Sequence, residues 1–189
     1  MKWLAAALAV VALCLLVYAG TAFVSLAGLV AAARSGDAHQ VLARTDLPRV
    51  RHALVDQLID AYLRRLGRER PVKPFERLAI NTFGASVADD LASKLLTQDN
   101  IAVLLQTGTV RSNVEFGSIP PLAEIDVSNI PGIIRRFTLI KPVEFSLRLG
   151  ASREAGSISM HFAGDGWRLS AVNLPAAVLA KLVERLPTR

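Results

Sequence analysis

The sequence predicts an α+β fold: an N-terminal transmembrane or signal-anchor helix, a helical layer packed on a C-terminal antiparallel meander, and a closing C-terminal helix. Three observations carry this reading. Residues 3–33 include 27 apolar residues out of 31 and no charge. Residues 37–108 repeat their apolar positions at helical period, punctuated by cap and stop signals. From Phe137 onward the period shortens to two, and helices first with sheet last lets the helices cover one face of the sheet.

The chain has 189 residues, enough for one ordinary domain with an appendage and too few for two full-sized domains. Although 52% of the residues are apolar, the excess lies at the amino terminus, and the other 156 residues are roughly 45% apolar, an ordinary globular value. Those 156 residues carry 21 of the 22 Lys and Arg and all 16 Asp and Glu. Dispersed charge at that hydrophobicity excludes disorder, and no pattern supports collagen, a low-complexity array or a polytopic membrane protein. The expected division is 1–33 as signal-anchor segment and emerging helix, and 34–189 as a single α+β domain. Within the domain, helices are expected over 37–108, a loop-rich stretch over 109–136, and antiparallel strands with the closing helix over 137–186.

Met1-Lys2 followed by the apolar run Trp3 to Val17 has the layout of an export signal. Val17-Tyr18-Ala19 and Gly20-Thr21-Ala22 offer small residues to a signal peptidase, so a cleaved signal is one alternative. Apolar character continues through Phe23, Val24, Leu26, Leu29 and Val30, past the ~20 residues that span a bilayer, and this favours an uncleaved anchor. A span at about Trp3 to Gly20 leaves Arg34 as the one charge other than Asp37 on the far flank up to Gln40. Lys2 and the amine then stay inside and the carboxyl end lies outside. A span centred on Phe23 would crowd Arg34, Arg44, Arg49 and Arg51 onto that flank and reverse the protein; the more continuous leading run favours the first. The single Cys14 lies inside the run, so the folded part forms no disulfide, and the bulky Leu13 before it argues against a lipoprotein site.

Beyond the anchor, Arg34-Ser35-Gly36-Asp37 reads as a helix stop followed by a new amino-terminal cap. A short helix through Arg44 follows, then a longer one started by Thr45-Asp46 with Pro48 in its first turn; Val50, Leu54, Leu58, Ala61 and Tyr62 share its apolar face. Arg64 to Arg77, with six basic residues, two acidic ones and two prolines, reads as an exposed connection. A helix over Phe75 to Leu96 would place Leu78, Phe83, Val87, Leu91 and Leu95 on one stripe, with Gly84 marking a break or a close contact. Thr97-Gln98-Asp99 caps a short helix over Ile101 to Gln106 that Gly108 ends. A strand at Val110 to Phe116 is followed by loop containing Pro120, Pro121, Pro131 and Gly132. Phe137 to Leu149 alternates as one half-buried strand, and Ile158, Met160 and Phe162 alternate as the next. Gly164-Asp165-Gly166 turns the chain into Trp167 to Leu174, with Trp167, Leu169 and Ala171 inward. Pro175 to Leu186 closes as an amphipathic helix with Val178, Leu179, Leu182 and Val183 on one face and Pro187 beyond it.

Leu26 to Leu58, Leu95 to Gly108 and Asp165 to Pro175 together resemble an uncharacterised family of membrane-anchored bacterial proteins, domain of unknown function 2939. The resemblance covers most of the chain after the anchor and rests on caps, turns and strand ends, so it implies an address and a fold and brings no catalytic residues. With the exported orientation, that address is a bacterial inner membrane crossed once, with the C-terminal domain periplasmic. A helix, the Gly36-Asp37 turn, a second helix and a late strand with Trp167 are also similar to the cone-shaped nuclear-transport-factor-like fold. The long middle helix and the closing helix depart from that plan.

No catalytic residue, cofactor or metal is expected. His52, Asp56 and Asp60, at i, i+4 and i+8, share one helix face and read as a solvated stripe opposite Leu54 and Leu58. Gly84-Ala85-Ser86-Val87-Ala88 lacks the strand-to-helix context of a nucleophile elbow, and His161 lies in a strand with no acid partner. Arg64, Arg65, Arg68, Arg70 and Lys73 form a basic run suited to an anionic lipid or an envelope protein; without interleaved aromatics it is not read as a nucleic-acid site. Phe145, Met160, Phe162 and Trp167 are the candidate lining of an apolar ligand groove between helices and meander. The expected function is a membrane-tethered, non-catalytic binding or interaction domain. The alternative is a small pocketed α+β hydrolase or isomerase using His52 with Asp56.

Overall fold

The apolar run folds as one helix, α1 (Lys2–Ser35), whose burial changes partway along it. The computed structural model describes residues 2–69, 73–80, 85–95, 97–109, 120–150, 152 and 155–184. From Trp3 to Val17 the large side chains of α1 are exposed, whereas Ala22, Leu26, Leu29, Val30 and Ala33 are buried. The buried positions recur every three or four residues, so the second half of α1 presents one face to the domain core.

Helix α1 stops where Gly36 takes φ +67°, a left-handed conformation that L side chains avoid. The Asp37 carboxylate accepts from the Gln40 backbone N–H at 3.0 Å and caps α2 (Ala38–Ala43). The chain then runs beside the sheet for one residue, where Thr45 pairs in parallel with Leu169. Leu169 N–H donates to the Arg44 carbonyl and Asp46 N–H to the Leu169 carbonyl, each at 2.8 Å. That short pairing gives a free strand edge a partner.

Helix α3 (Leu47–Glu69) carries Pro48 in its first turn as expected and extends further than expected. Arg64 to Glu69 are helical because Arg and Glu are good helix formers, and the first proline of the run, Pro71, comes after the helix end. The single helix expected over Phe75 to Leu96 is instead α4 (Pro74–Ala79) and α5 (Ala85–Leu95), with Phe83 and Gly84 outside the described residues. Of the expected stripe, Leu78 and Val87 are exposed, whereas Phe83 and the side chains of Leu91 and Leu95 lie outside what is described; Ala88 and Ala92 are buried on α5. Small side chains there let α5 come close to α3. Helix α6 (Gln98–Thr107) is capped by the Thr97 hydroxyl accepting from Asn100 N–H, and it ends at left-handed Gly108, φ 72°, as its sequence implied.

Val110 to Phe116 lies outside the described residues. The loop expectation beyond it fails in part, because a 3-10 turn occupies Leu122–Glu124 and α7 spans Ile130–Arg136. Pro131 sits in the first turn of α7, where a proline costs no hydrogen bond, and Asn129 caps it through Gly132 N–H at 3.0 Å. Phe137 to Leu149 is likewise two strands, β1 (Phe137–Lys141) and β2 (Glu144–Arg148), joined across Pro142-Val143. Proline lacks the N–H a ladder needs, so the segment breaks into a turn there, and the expected half-buried alternation appears in β2 while β1 is exposed throughout.

Strands β3 (Ser157–Phe162) and β4 (Trp167–Asn173) complete an antiparallel meander of order β1-β2-β3-β4. A register shift pairs Ser159 with Ala171 but Met160 with Leu169, leaving Ser170 as the extra residue. Its hydroxyl donates to the Ser159 carbonyl at 3.2 Å, and Val172, not Ala171, continues the buried side. Helix α8 (Ala176–Val183) buries Val178, Leu179, Leu182 and Val183, as its spacing implied.

Two apolar clusters result. The larger joins α1, α6, Leu122 and the sheet side chains Phe145, Leu147, Ile158, Met160, Trp167 and Leu169. The smaller joins Leu54, Val55 and Leu58 of α3 with Ala88 and Ala92 of α5 and the buried face of α8.

Candidate functional site

Helices α3 and α5 meet through the smaller cluster, and beside this contact lies an open groove of about 1010 Å³. One wall carries Arg51, His52, Asp56 and Asp60, and the other carries Asp89 and Ser93. The Arg51 guanidinium binds both carboxylate oxygens of Asp89, a planar fork-to-fork pair that fixes α3 against α5. The hydrogen bond to Asp89 pushes the Arg51 pKa up, with desolvation opposing and the Asp89 charge adding to the shift. Ser93 donates back to the Asp89 carbonyl at 2.6 Å.

His52 Nε2 stands 3.6 Å from Asp56 Oδ2, with side chains 80% and 60% exposed. A solvated i, i+4 pair has neither the burial nor the third orienting group that acid–base chemistry uses. Asp60 lies another turn away, about 12 Å from His52 by helix rise. Among the described residues, no three His, Cys, Asp or Glu side chains come together as a metal site. Ser86 is exposed in the first turn of α5, and His161 is half-buried on β3.

Of the four apolar residues read as a groove lining, Phe145, Met160 and Trp167 are buried in the main core and Phe162 packs against it. Phe162 and Trp167 also border an apolar recess of about 910 Å³ against Cys14, Val17, Tyr18 and Val24 of α1. In the basic run, Arg64 is exposed, Arg65 donates to the Val183 carbonyl of α8 at 3.4 Å, and Lys73 is exposed. Arg68 belongs to the α3 backbone, and Arg70 lies outside the described residues.

An arrangement that the sequence reading missed joins α1 to the hairpin end of the sheet. The Tyr18 ring lies 5.4 Å from Trp167 and 5.7 Å from Phe162, and its hydroxyl donates to the Pro142 carbonyl at 3.0 Å. Trp167 Nε1–H donates to Thr21 Oγ1 at 3.2 Å, and that hydroxyl donates to the Tyr18 carbonyl at 2.7 Å. The available signal was a hydroxyl residue one turn after a tyrosine inside an apolar run. A polar group there needs a partner.

Fold and site define a class: a small α+β domain continuous with one long apolar helix, whose first half is exposed and whose second half is core. The helix is long and apolar enough to cross a membrane. Residues 11–104 match the family described as protein of unknown function, DUF2939, and over those residues the chain belongs to that family. The matched region runs from within α1 into α6 and stops before the sheet. No curated protein and no solved structure matches the chain.

Proposed function

We propose that this protein is a membrane-tethered, non-catalytic binding or interaction domain, held at the periplasmic face of a bacterial inner membrane by an uncleaved α1. The observation that carries the proposal is the division of α1 near Tyr18. The exposed half is the part that needs lipid, and the packed half is fixed to the domain by Tyr18, Thr21 and the buried face from Ala22 to Ala33. A signal cut after Ala19 or Ala22 would detach Tyr18, and in the second case Thr21, from their partners. The division also favours the earlier of the two spans, with Lys2 and the amine on the cytoplasmic side. Arg34, the first charge on the other flank, is held by the domain through the carbonyls of Ala123 and Ile125, each at 2.7 Å. Arg64 and Lys73, both exposed, are the groups offered to an anionic lipid or envelope protein.

Carbonate extraction of membranes tests the tether. The expected result is full-mass protein in the pellet, with a reporter active only after export working when fused behind Arg189. Release into the supernatant with loss of the first ~20 residues would reject it.

A further inference from the structure

We infer that the hairpin end of the sheet seats on the bilayer, with the β1–β2 tip inserted at the lipid interface beside α1. The inference rests on the tether reading and deepens it. Three observations carry it, beginning with length. The charge of Lys2 marks the near end of the apolar run, and the ~20 helical residues that cross a ~30 Å hydrocarbon core reach from Trp3 to about Ala22, so the far boundary falls near Thr21.

The second observation is what stands at that height. The Tyr18 hydroxyl holds the Pro142 carbonyl of the β1–β2 tip, and Thr21 holds Trp167 at the start of β4. Both contacts lie at the end of the sheet where β1 and β3 finish and β2 and β4 begin. A boundary near Thr21 therefore passes through this end. Tyr concentrates at such interfaces, and the half-buried Tyr18 stands at this height, while the buried Trp167 fixes the end of the sheet to α1 from the core side.

The third observation is the surface. Leu139, Ile140 and Val143 at the tip are 61%, 50% and 41% exposed, an apolar group that no described residue covers. The nearby charges are paired: Lys141 with Glu144 at 3.8 Å and Arg168 with Asp165 at 2.6 Å. An apolar tip with neutralised charges fits the interface of a zwitterionic bilayer and needs no anionic headgroup. The all-exposed β1 strand is then shielded at its tip by the membrane that α1 enters.

The test uses the full chain with Cys14→Ala, carrying a single environment-sensitive fluorophore on Val143→Cys, Leu8→Cys or Ser128→Cys. Each variant is reconstituted in phosphatidylcholine vesicles with or without nitroxide lipid. Ser128 lies two residues from Asp126, near the end of α1 where Arg34 meets Ile125, and serves as the distant site. The expected result is blue-shifted emission at 143 that nitroxide lipid quenches, strong quenching at 8, and neither effect at 128. Quenching at 8 with none at 143 would overturn the seating and leave the tether standing. No quenching at either site would overturn both. A blue shift at 143 that rises with protein-to-lipid ratio and ignores nitroxide lipid would assign the tip to a second copy of the chain, also overturning the inference. Circular dichroism matching the Cys14→Ala parent confirms that each labelled variant is folded.

Discussion

Trp167 and Thr21 give the most direct test of whether the second half of α1 belongs to the domain. Trp167 is buried, with its ring 5.1 Å from Phe145, 5.4 Å from Tyr18 and 5.6 Å from Phe162. Truncating a buried Trp to Ala costs about 3–5 kcal/mol, and aromatic pairs add about 0.5–1.5 kcal/mol each beyond area burial. Trp167→Ala should therefore lower Tm on the order of 10 °C in a chain of this size. That loss alone would show only that Trp167 is core. The specific measurement is a cycle between Thr21→Val and Trp167→Phe, followed by urea unfolding in detergent with circular dichroism. Thr21→Val removes the acceptor of the indole N–H and leaves a buried donor unsatisfied, a cost of about 1–3 kcal/mol. With Phe at position 167 there is no donor to strand, so the same substitution should cost about 1 kcal/mol or more less. Equal effects of Thr21→Val in the two backgrounds would refute the contact, and with it the packing of α1 on the sheet.

The parts of this fold legible in the sequence were those written in local backbone chemistry. Gly36-Asp37, Thr97 and Gly108 mark helix ends because a left-handed glycine or a capping oxygen acts within one turn, wherever the rest of the chain goes. The closing helix was legible because Val178, Leu179, Leu182 and Val183 crowd one face. What failed depended on partners distant in sequence. The stripe through Leu78 and Val87 has a good helical period, but both are exposed, and hydrophobic spacing does not reveal that the small side chains of Ala88 and Ala92 are buried against α3. The alternation from Phe137 to Leu149 holds only from Glu144 onward, since β1 is exposed along its whole length, and it cannot report that Pro142 folds the segment into a hairpin. Ser170 shifts the last strand by one residue because of its pairing with β3, so Ala171 and Val172 exchange sides. The candidate site divides in the same way. His52 and Asp56 were legible as a pair because they are one turn apart; Arg51 with Asp89, and Tyr18 with Pro142, meet only across the fold.

Two further outcomes follow from side chains that join or end helices. The Gln57 amide accepts from Leu174 N–H at 2.9 Å and donates to the Val172 carbonyl at 3.1 Å, tying α3 to the end of β4. Gln57→Leu keeps the approximate size and strands both backbone groups, so urea unfolding should show a loss of about 2 kcal/mol, and an unchanged midpoint would remove the tie. The last outcome is acid sensitivity at the Asp37 cap of α2 and at the Asp126 turn before α7. Asp37 lies below the ordinary aspartate range chiefly through the Gln40 backbone N–H, with the Gln40 side chain and His39 adding to the effect against desolvation. Asp126 is lowered chiefly through the Ser128 backbone N–H, then the Ser128 side chain, with desolvation opposing and Arg34 and Asn129 N–H adding to the lowering. In both, the folded state holds a proton less readily than the unfolded chain, so their contribution is present above about pH 4 and is lost as pH falls through the lower folded values. Tm should therefore drop more steeply between about pH 4 and pH 2 in the parent than in the Asp37→Asn/Asp126→Asn variant, which keeps the accepting oxygens without a titrating carboxylate. Equal slopes in the two proteins would mean that other carboxylates set the acid limit.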